Sequence, residues 1–367
     1  MPKNTLLIVP KKRLDELDEA YALAKTAGYE IVSLITTRYH KPNIIKEGKL
    51  KEIKKEVEGK NIETIIFYNE FTPVTYYKLY KIARVELLDK PLLILNIFSR
   101  HAGSKEAKLQ IELAKIRHEI PIVREFVRRQ KLGELPGFLG PGKYAIDEYL
   151  ALLRRREHQI KLKLEELKKR KKSELLRRKN LGLPHIVITG YTCAGKTTLF
   201  NSLVSENKRT GEEYFTTISP KAKGALLHDS FKVIFSDTVG FIRGIPPYII
   251  EAFYATLQEV VFSDLIILVV DASEPIRTIN EKLQESLSIL DKIGAISIPL
   301  FIVLNKIDLI ASDELSKALD VVNSIRVEHN NIVDILPMSA LRSSDIDTLR
   351  RRLWSFFQNT RKSMFTD

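Results

Sequence analysis

The run Gly190-Tyr191-Thr192-Cys193-Ala194-Gly195-Lys196-Thr197 constrains this chain more than any other segment. It follows a β-branched stretch, Ile186-Val187-Ile188-Thr189, and leads into Thr198-Leu199-Phe200, the start of a helical pattern. A strand, a glycine loop and a helix in that order make a cradle for phosphate. Successive backbone N–H groups converge on the anion at the helix N-terminus, where the helix dipole favours negative charge. The spacing G-x-x-x-x-G-K-[ST] then sets Lys196 between the β- and γ-phosphates of a nucleoside triphosphate and the Thr197 hydroxyl on Mg²⁺. A chance match in a turn would lack both flanks. The expected fold is α/β, with a mostly parallel sheet flanked by helices.

Three later segments narrow the ligand. Val233–Phe241 is an apolar run ending in Asp237-Thr238-Val239-Gly240, which places a carboxylate to hold Mg²⁺ through water and a Gly240 N–H to meet the γ-phosphate. Leu300–Ile310 is a second apolar run, ending in Asn305-Lys306-Ile307-Asp308. The Asp308 carboxylate accepts two hydrogen bonds, from guanine N1–H and the 2-amino group; adenine offers neither donor. An unpaired buried carboxylate is costly, so this residue selects against adenine. Lys306 is expected along the base plane, and Asn305 between the base loop and the phosphate loop. Ile335–Leu341 supplies Ser339 and Ala340, whose backbone is expected to face guanine O6, followed by Leu341. In this order and at this spacing the segments describe a GTP/GDP site.

Between the first two motifs, Gly211–Pro220 carries Phe215, Thr216 and Thr217. One threonine hydroxyl here is expected to complete the Mg²⁺ shell when the γ-phosphate is present; spacing alone leaves Thr216 and Thr217 both open. Lys196, Thr217 and Gly240 are the expected catalytic groups, and Thr197, Thr217 and Asp237 the expected metal ligands. Phe241 occupies the position where many GTPases place a water-orienting Gln, and a phenyl ring cannot orient water by hydrogen bonding. Either another group does so or intrinsic turnover is slow.

Charge divides the 367 residues unevenly. The net +13 is made of +4 in residues 1–99, +12 in 100–180 (23 basic and 11 acidic side chains) and −3 in 181–367. A local excess of this kind points to a polyanion, nucleic acid first and acidic membrane second; a solvated helix face is the plainer explanation. In residues 1–99, Thr5–Val9, Glu30–Ile35, Thr64–Tyr68 and Pro91–Phe98 have the composition of buried parallel strands, separated by helices over Arg13–Thr26, Lys49–Val57 and Val74–Ala83. In residues 100–180, Leu109, Leu113, Ile116, Ile120, Val123 and Val127 recur at 4-3-4-3-4 spacing. Ile146, Leu150, Leu153, Ile160, Leu164 and Leu167 repeat it, with Glu157 in the gap. Two such seams joined by the Gly- and Pro-rich Leu132–Lys143 predict an antiparallel helical hairpin, with a kink possible at Pro121. Residues 181–367 form the nucleotide domain.

One Cys rules out a disulfide framework. No apolar stretch approaches the ~20 residues that span a bilayer. A cytoplasmic monomer with no stable membrane insertion is the expectation.

With these residues in place, the chain resembles the HflX-type GTPases, of the translation-factor-related class. Leu93–Leu113 resembles the family's junction between its N-terminal domain and hairpin; GYTCAGKTTLFNSL and FTTISP resemble its phosphate loop and first switch; DTVGF and the following helix resemble its second switch. Matching FTTISP selects Thr217 as the Mg²⁺ threonine, and a hydrophobic residue at Phe241 is usual there. The resemblance implies a GTPase that binds ribosomes, mainly the large subunit and its RNA, some members splitting stalled ribosomes under stress. Alternatives are an RNA-binding module regulated by nucleotide with negligible turnover and a membrane-peripheral switch. The chain departs from the family at Cys193, commonly Asn and linked to potassium binding, and at Lys143, where the tip usually ends in Glu.

Overall fold

A computed structural model describes residues 3–38, 45–102, 104–132, 145–180, 183–204, 221–228, 231–238, 240–242, 249 and 259–364. The chain divides into two compact units, the first running to Leu167 and the second starting at Lys168.

The first unit opens with strand β1 (Lys3–Pro10), a 3₁₀ turn, α1 (Leu17–Thr26), β2 (Tyr29–Thr37), α2 (Glu47–Gly59), β3 (Thr64–Phe67), α3 (Pro73–Ala83) and β4 (Glu86–Asp89). The sheet order is β2-β1-β3-β4, all parallel. Parallel strands joined by helices are covered on both faces, and central β1 accordingly buries Leu6, Leu7, Ile8 and Val9 completely. Each such side chain contributes about 1.5–3 kcal/mol.

The expectation of a strand over Pro91–Phe98 is overturned. The fourth strand is Glu86–Asp89, and Lys90–His101 is a helix, α4. Asp89 fixes the switch: its carboxylate caps the helix by accepting from the Leu92 amide at 3.0 Å, and Pro91 sits in the first turn with its φ already suited. Leu93, Ile94, Leu95, Ile97 and Phe98 are all buried, while Asn96, Ser99 and Arg100 mark the side that meets solvent.

α5 (Lys105–Lys131) and α6 (Ala145–Asn180) form the two arms. Their shared core contains Leu109, Leu113, Ile116, Ile120, Val123 and Val127 against Ile146, Leu150, Leu153 and Ile160, with Leu164 and Leu167 packed alongside, the two seams expected from spacing. α5 runs through Pro121 without a break. Glu157, at the polar gap, pairs with Lys161 at 2.7 Å and Arg117 at 3.5 Å. The tip, residues 133–144, lies outside the described residues.

The second unit is a six-stranded sheet in the order β10-β9-β8-β5-β7-β6. These are β5 (His185–Gly190), β6 (Lys221–His228), β7 (Phe231–Asp237), β8 (Leu265–Asp271), β9 (Leu300–Asn305) and β10 (Ile332–Pro337). Only β6 is antiparallel. Helices α7 (Lys196–Val204), α8 (Ile276–Lys292), α9 (Ser312–Glu328) and α10 (Ser343–Met364) accompany it. The carboxyl ends of β5, β7, β8 and β9 therefore converge on one edge, where an open α/β sheet binds ligands.

Candidate nucleotide site

The phosphate loop is the turn between β5 and α7. Gly195 has φ +95°, and a Cβ there would lie 2.2 Å from Asn305 Nδ2, so only glycine allows this approach. Asn305 ends β9 and is almost fully buried. Its Nδ2 donates to the Ala194 carbonyl at 2.8 Å and its Oδ1 accepts from the Ala340 amide at 2.9 Å. One side chain thus joins the phosphate loop, β9 and the loop after β10. Cys193 adopts φ +62°, a left-handed conformation that Asn tolerates better than most residues.

Lys196, the first residue of α7, is buried and donates from Nζ to the Tyr191 carbonyl at 2.5 Å. Burial pushes its amine down to about 8, against the opposing charge of Asp237. The Thr197 hydroxyl donates to Asp237 Oδ2 at 3.0 Å, and Asp237 is fully buried at the end of β7. A hydroxyl and a buried carboxylate in contact are hard oxygen donors, the set that Mg²⁺ prefers. Thr198 follows on α7, half-buried.

The second switch begins against the loop. Phe241 N donates to the Gly190 carbonyl and Thr192 N to the Phe241 carbonyl, both at 2.9 Å, so Tyr191 and Phe241 form a parallel bridge that prolongs β5–β7 pairing. Thr238 is buried and bonds to the Ile188 carbonyl through both its amide and its hydroxyl. Between them, Gly240 comes close enough that a Cβ would lie 2.7 Å from Lys196 Nζ. The Phe241 ring is buried edge-on to Tyr191, centroids 6.4 Å apart.

At the base end, Asp308 is exposed on a short 3₁₀ turn, and the neighbouring Ser339 hydroxyl holds its carboxyl below the ordinary carboxylate value. Lys306, in the left-handed region, sends its amine to Asp271 at 2.5 Å. The Ser339 amide donates to Asp345 at 2.9 Å, so both it and the Ala340 amide are engaged within the protein; Leu341 is exposed. Phe215, Thr216, Thr217 and Val239 lie outside the described residues.

Some participants were not foreseen from sequence. Tyr191 Oη donates to Glu285 at 2.5 Å, and Lys282 lies over the same ring at 5.2 Å, tying the phosphate loop to α8. Asp271, the partner of Lys306, was also missed; its place at the end of β8 beside Asn305 was its one signal.

Three families match in succession: "GTP-binding GTPase N-terminal" over residues 14–99, "GTP-binding GTPase Middle Region" over 101–178 and "50S ribosome-binding GTPase" over 185–306. The protein named GTPase HflX of Hyperthermus butylicus is 43% identical over 367 residues, covering 98% of each chain. The chain belongs to the HflX family of GTPases. The HflX protein of Escherichia coli is 33% identical over 309 residues, 83% of this chain and 72% of its own. A solved structure, a GTP-binding protein from Sulfolobus solfataricus in complex with GDP, is 33% identical with a TM-score of 0.55, covering 98% of this chain and 99% of its own. As an HflX GTPase, this chain binds guanine nucleotide and hydrolyses GTP. The P-loop class to which it belongs generally uses Mg²⁺.

Proposed function

We propose that this HflX protein is a Mg²⁺-dependent GTPase that associates with the ribosome through residues 1–99 and the basic hairpin of residues 100–180, the G domain occupying 181–367. The observation that carries the nucleotide half is the Asn305 clasp: phosphate loop and base loop are already joined. The ribosomal half is supported by the match to a family of ribosome-binding GTPases and by the +12 concentrated in one hairpin-forming segment. Ribosomal RNA of the large subunit is the polyanion that suits both.

In this mechanism the loop amides of residues 191–198 hold the α- and β-phosphates, and Asp308 accepts from the guanine edge. Thr197 and Asp237, with Thr217 of the first switch, would hold Mg²⁺, whose charge offsets that of the phosphates. Lys196 turns from the Tyr191 carbonyl onto the β- and γ-phosphates, regaining its full charge there. Gly240 N–H meets the γ-phosphate. Water attacks the γ-phosphorus in line, and Lys196 stabilises the charge that develops on the leaving β-phosphate oxygen. With Phe241 turned into the protein, intrinsic turnover is slow and a partner completes the site.

The protein acts in the cytoplasm as a monomer; no helix among the described residues is long and apolar enough to cross a membrane. Rescue or splitting of stalled ribosomes under stress is the cellular role that fits these properties. Pelleting with large subunits, comparing a non-hydrolysable GTP analogue with GDP, tests the proposal. Co-sedimentation stronger with the analogue is expected. Equal absence from the pellet in both states at low salt overturns the ribosomal half.

A further inference from the structure

A cavity of about 660 Å³ opens in the first unit between α3, α5 and the start of α6, within the range of roughly 300–1,000 Å³ in which small ligands bind. Nothing in guanine nucleotide chemistry uses it. Tyr76, Tyr80, Phe126 and Tyr149 line it, and the first three form a rigid cluster: Tyr76 and Tyr80 are parallel at 6.5 Å, and both meet Phe126 edge-on at 6.2 and 5.9 Å.

Among these rings stand Lys115 and Glu119, with His118 also on the wall and turned to Asp89 at 2.7 Å. Lys115 is half-buried, donates to Asn96 Oδ1 at 2.8 Å and forms no ion pair with a carboxylate among the described residues. Its desolvation is not offset by an acid, and burial accordingly lowers its amine from the ordinary lysine value. Glu119 accepts from Tyr149 Oη at 2.6 Å. The complementary ligand has a flat ring face for the aromatic walls, an anion for Lys115 and a donor edge for Glu119.

We propose that the cavity takes up one unstacked nucleotide of single-stranded RNA, its base against the aromatic wall and its phosphate at Lys115. The proposal rests on the RNA-directed half of the function above. Aromatic side chains beside a cationic groove are the means by which proteins hold single strands, because every base presents a stacking face. Helix α5, which lines the cavity, carries eight basic and four acidic side chains, and that surplus would hold the flanking phosphates.

The experiment uses the full chain saturated with GDP, so that the guanine site is filled, and an eight-nucleotide single-stranded RNA with a central 2-aminopurine. Binding should change the 2-aminopurine fluorescence. Tyr149→Ala and Lys115→Gln should each weaken affinity ~10-fold, whereas Lys115→Arg should retain it. An abasic nucleotide at the central position should weaken binding to the same degree. Far-UV circular dichroism and a thermal melt matching wild type verify the fold of each variant. The proposal is overturned if the wild-type chain fails to bind the oligonucleotide, if both variants bind it as wild type does, or if the abasic strand binds equally well. Large-subunit pelleting of the same variants separates the two ideas: variants that pellet normally and bind the oligonucleotide normally reject the cavity alone, whereas a wild-type chain absent from the pellet rejects the ribosomal reading.

Discussion

Asn305 and Ala194 are 111 residues apart in sequence and joined by a 2.8 Å hydrogen bond from the Asn305 amide to the Ala194 carbonyl. With the second bond from the Ala340 amide to Asn305 Oδ1, the base-recognition loops and the phosphate loop share one buried side chain. Asn305→Ala removes both bonds and leaves the Ala340 amide buried without an acceptor. At about 1–3 kcal/mol for such a group, GDP affinity should fall roughly tenfold or more. Titration calorimetry checks this; affinity within twofold of wild type would show that the clasp is dispensable.

Lys196→Ala should abolish multiple-turnover GTP hydrolysis and weaken nucleotide binding. The native amine also predicts a pH effect. Its value in the protein without nucleotide is about 8, pushed down by burial, so it is charged below that pH and increasingly neutral above it. Bound phosphates favour the charged form. GDP affinity should therefore be flat up to about pH 7.5 and decline as pH rises through 8 to 9, and affinity that climbs over this interval contradicts the assignment.

Asp308→Asn replaces an acceptor for the guanine edge with an amide. Selectivity should move from guanine toward xanthine nucleotide, whose 2-oxo group accepts where guanine donates. Competition of labelled GDP by XDP, measured in both proteins, reads the change directly.

His118 and Asp89 make a buried pair at 2.7 Å between α5 and the end of β4. Burial alone would lower the imidazole, but the Asp89 carboxylate outweighs it and the value lies above the ordinary 6.5. A folded value above the unfolded one means that the pair's stabilisation is complete below about pH 6.5 and lost as pH rises through the raised value. Thermal melts of wild type and His118→Gln should differ most near pH 6 and converge by pH 9. A gap that widens with pH would indicate a neutral imidazole throughout.

The phosphate loop and the hairpin seam could be read from sequence because each is a local pattern with a fixed period or spacing. Leu109 through Val127 needed only one neighbouring helix to bury them, and the next apolar repeat supplied it. Pro91–Phe98 has the composition of a buried strand, a short apolar run that suits strand and helix alike, and the polar side of the helix shows only at Asn96 and, beyond the run, at Ser99 and Arg100. The informative residues lay just before it, Asp89 and Pro91, as a cap and a first-turn proline. Lys90 shows the other limit. Its amine is buried between Glu16 at 3.0 Å and Glu19 at 2.8 Å, more than 70 residues away, and nothing near it in sequence names those partners. In the nucleotide site, a separation of 94 residues hid Glu285 from Tyr191 in the same way.

The bridge between Tyr191 and Phe241 ties the phosphate loop to the segment that follows β7. Two hydrogen bonds to the peptide groups flanking Tyr191 anchor Phe241 to the end of β5. While they hold, Phe241 stays with the phosphate loop, so any displacement of its backbone has to strain or break one of the two. Phe241 is in that sense a rivet: it couples the floor of the phosphate site to the end of β7 through backbone bonds that do not depend on which side chain stands there.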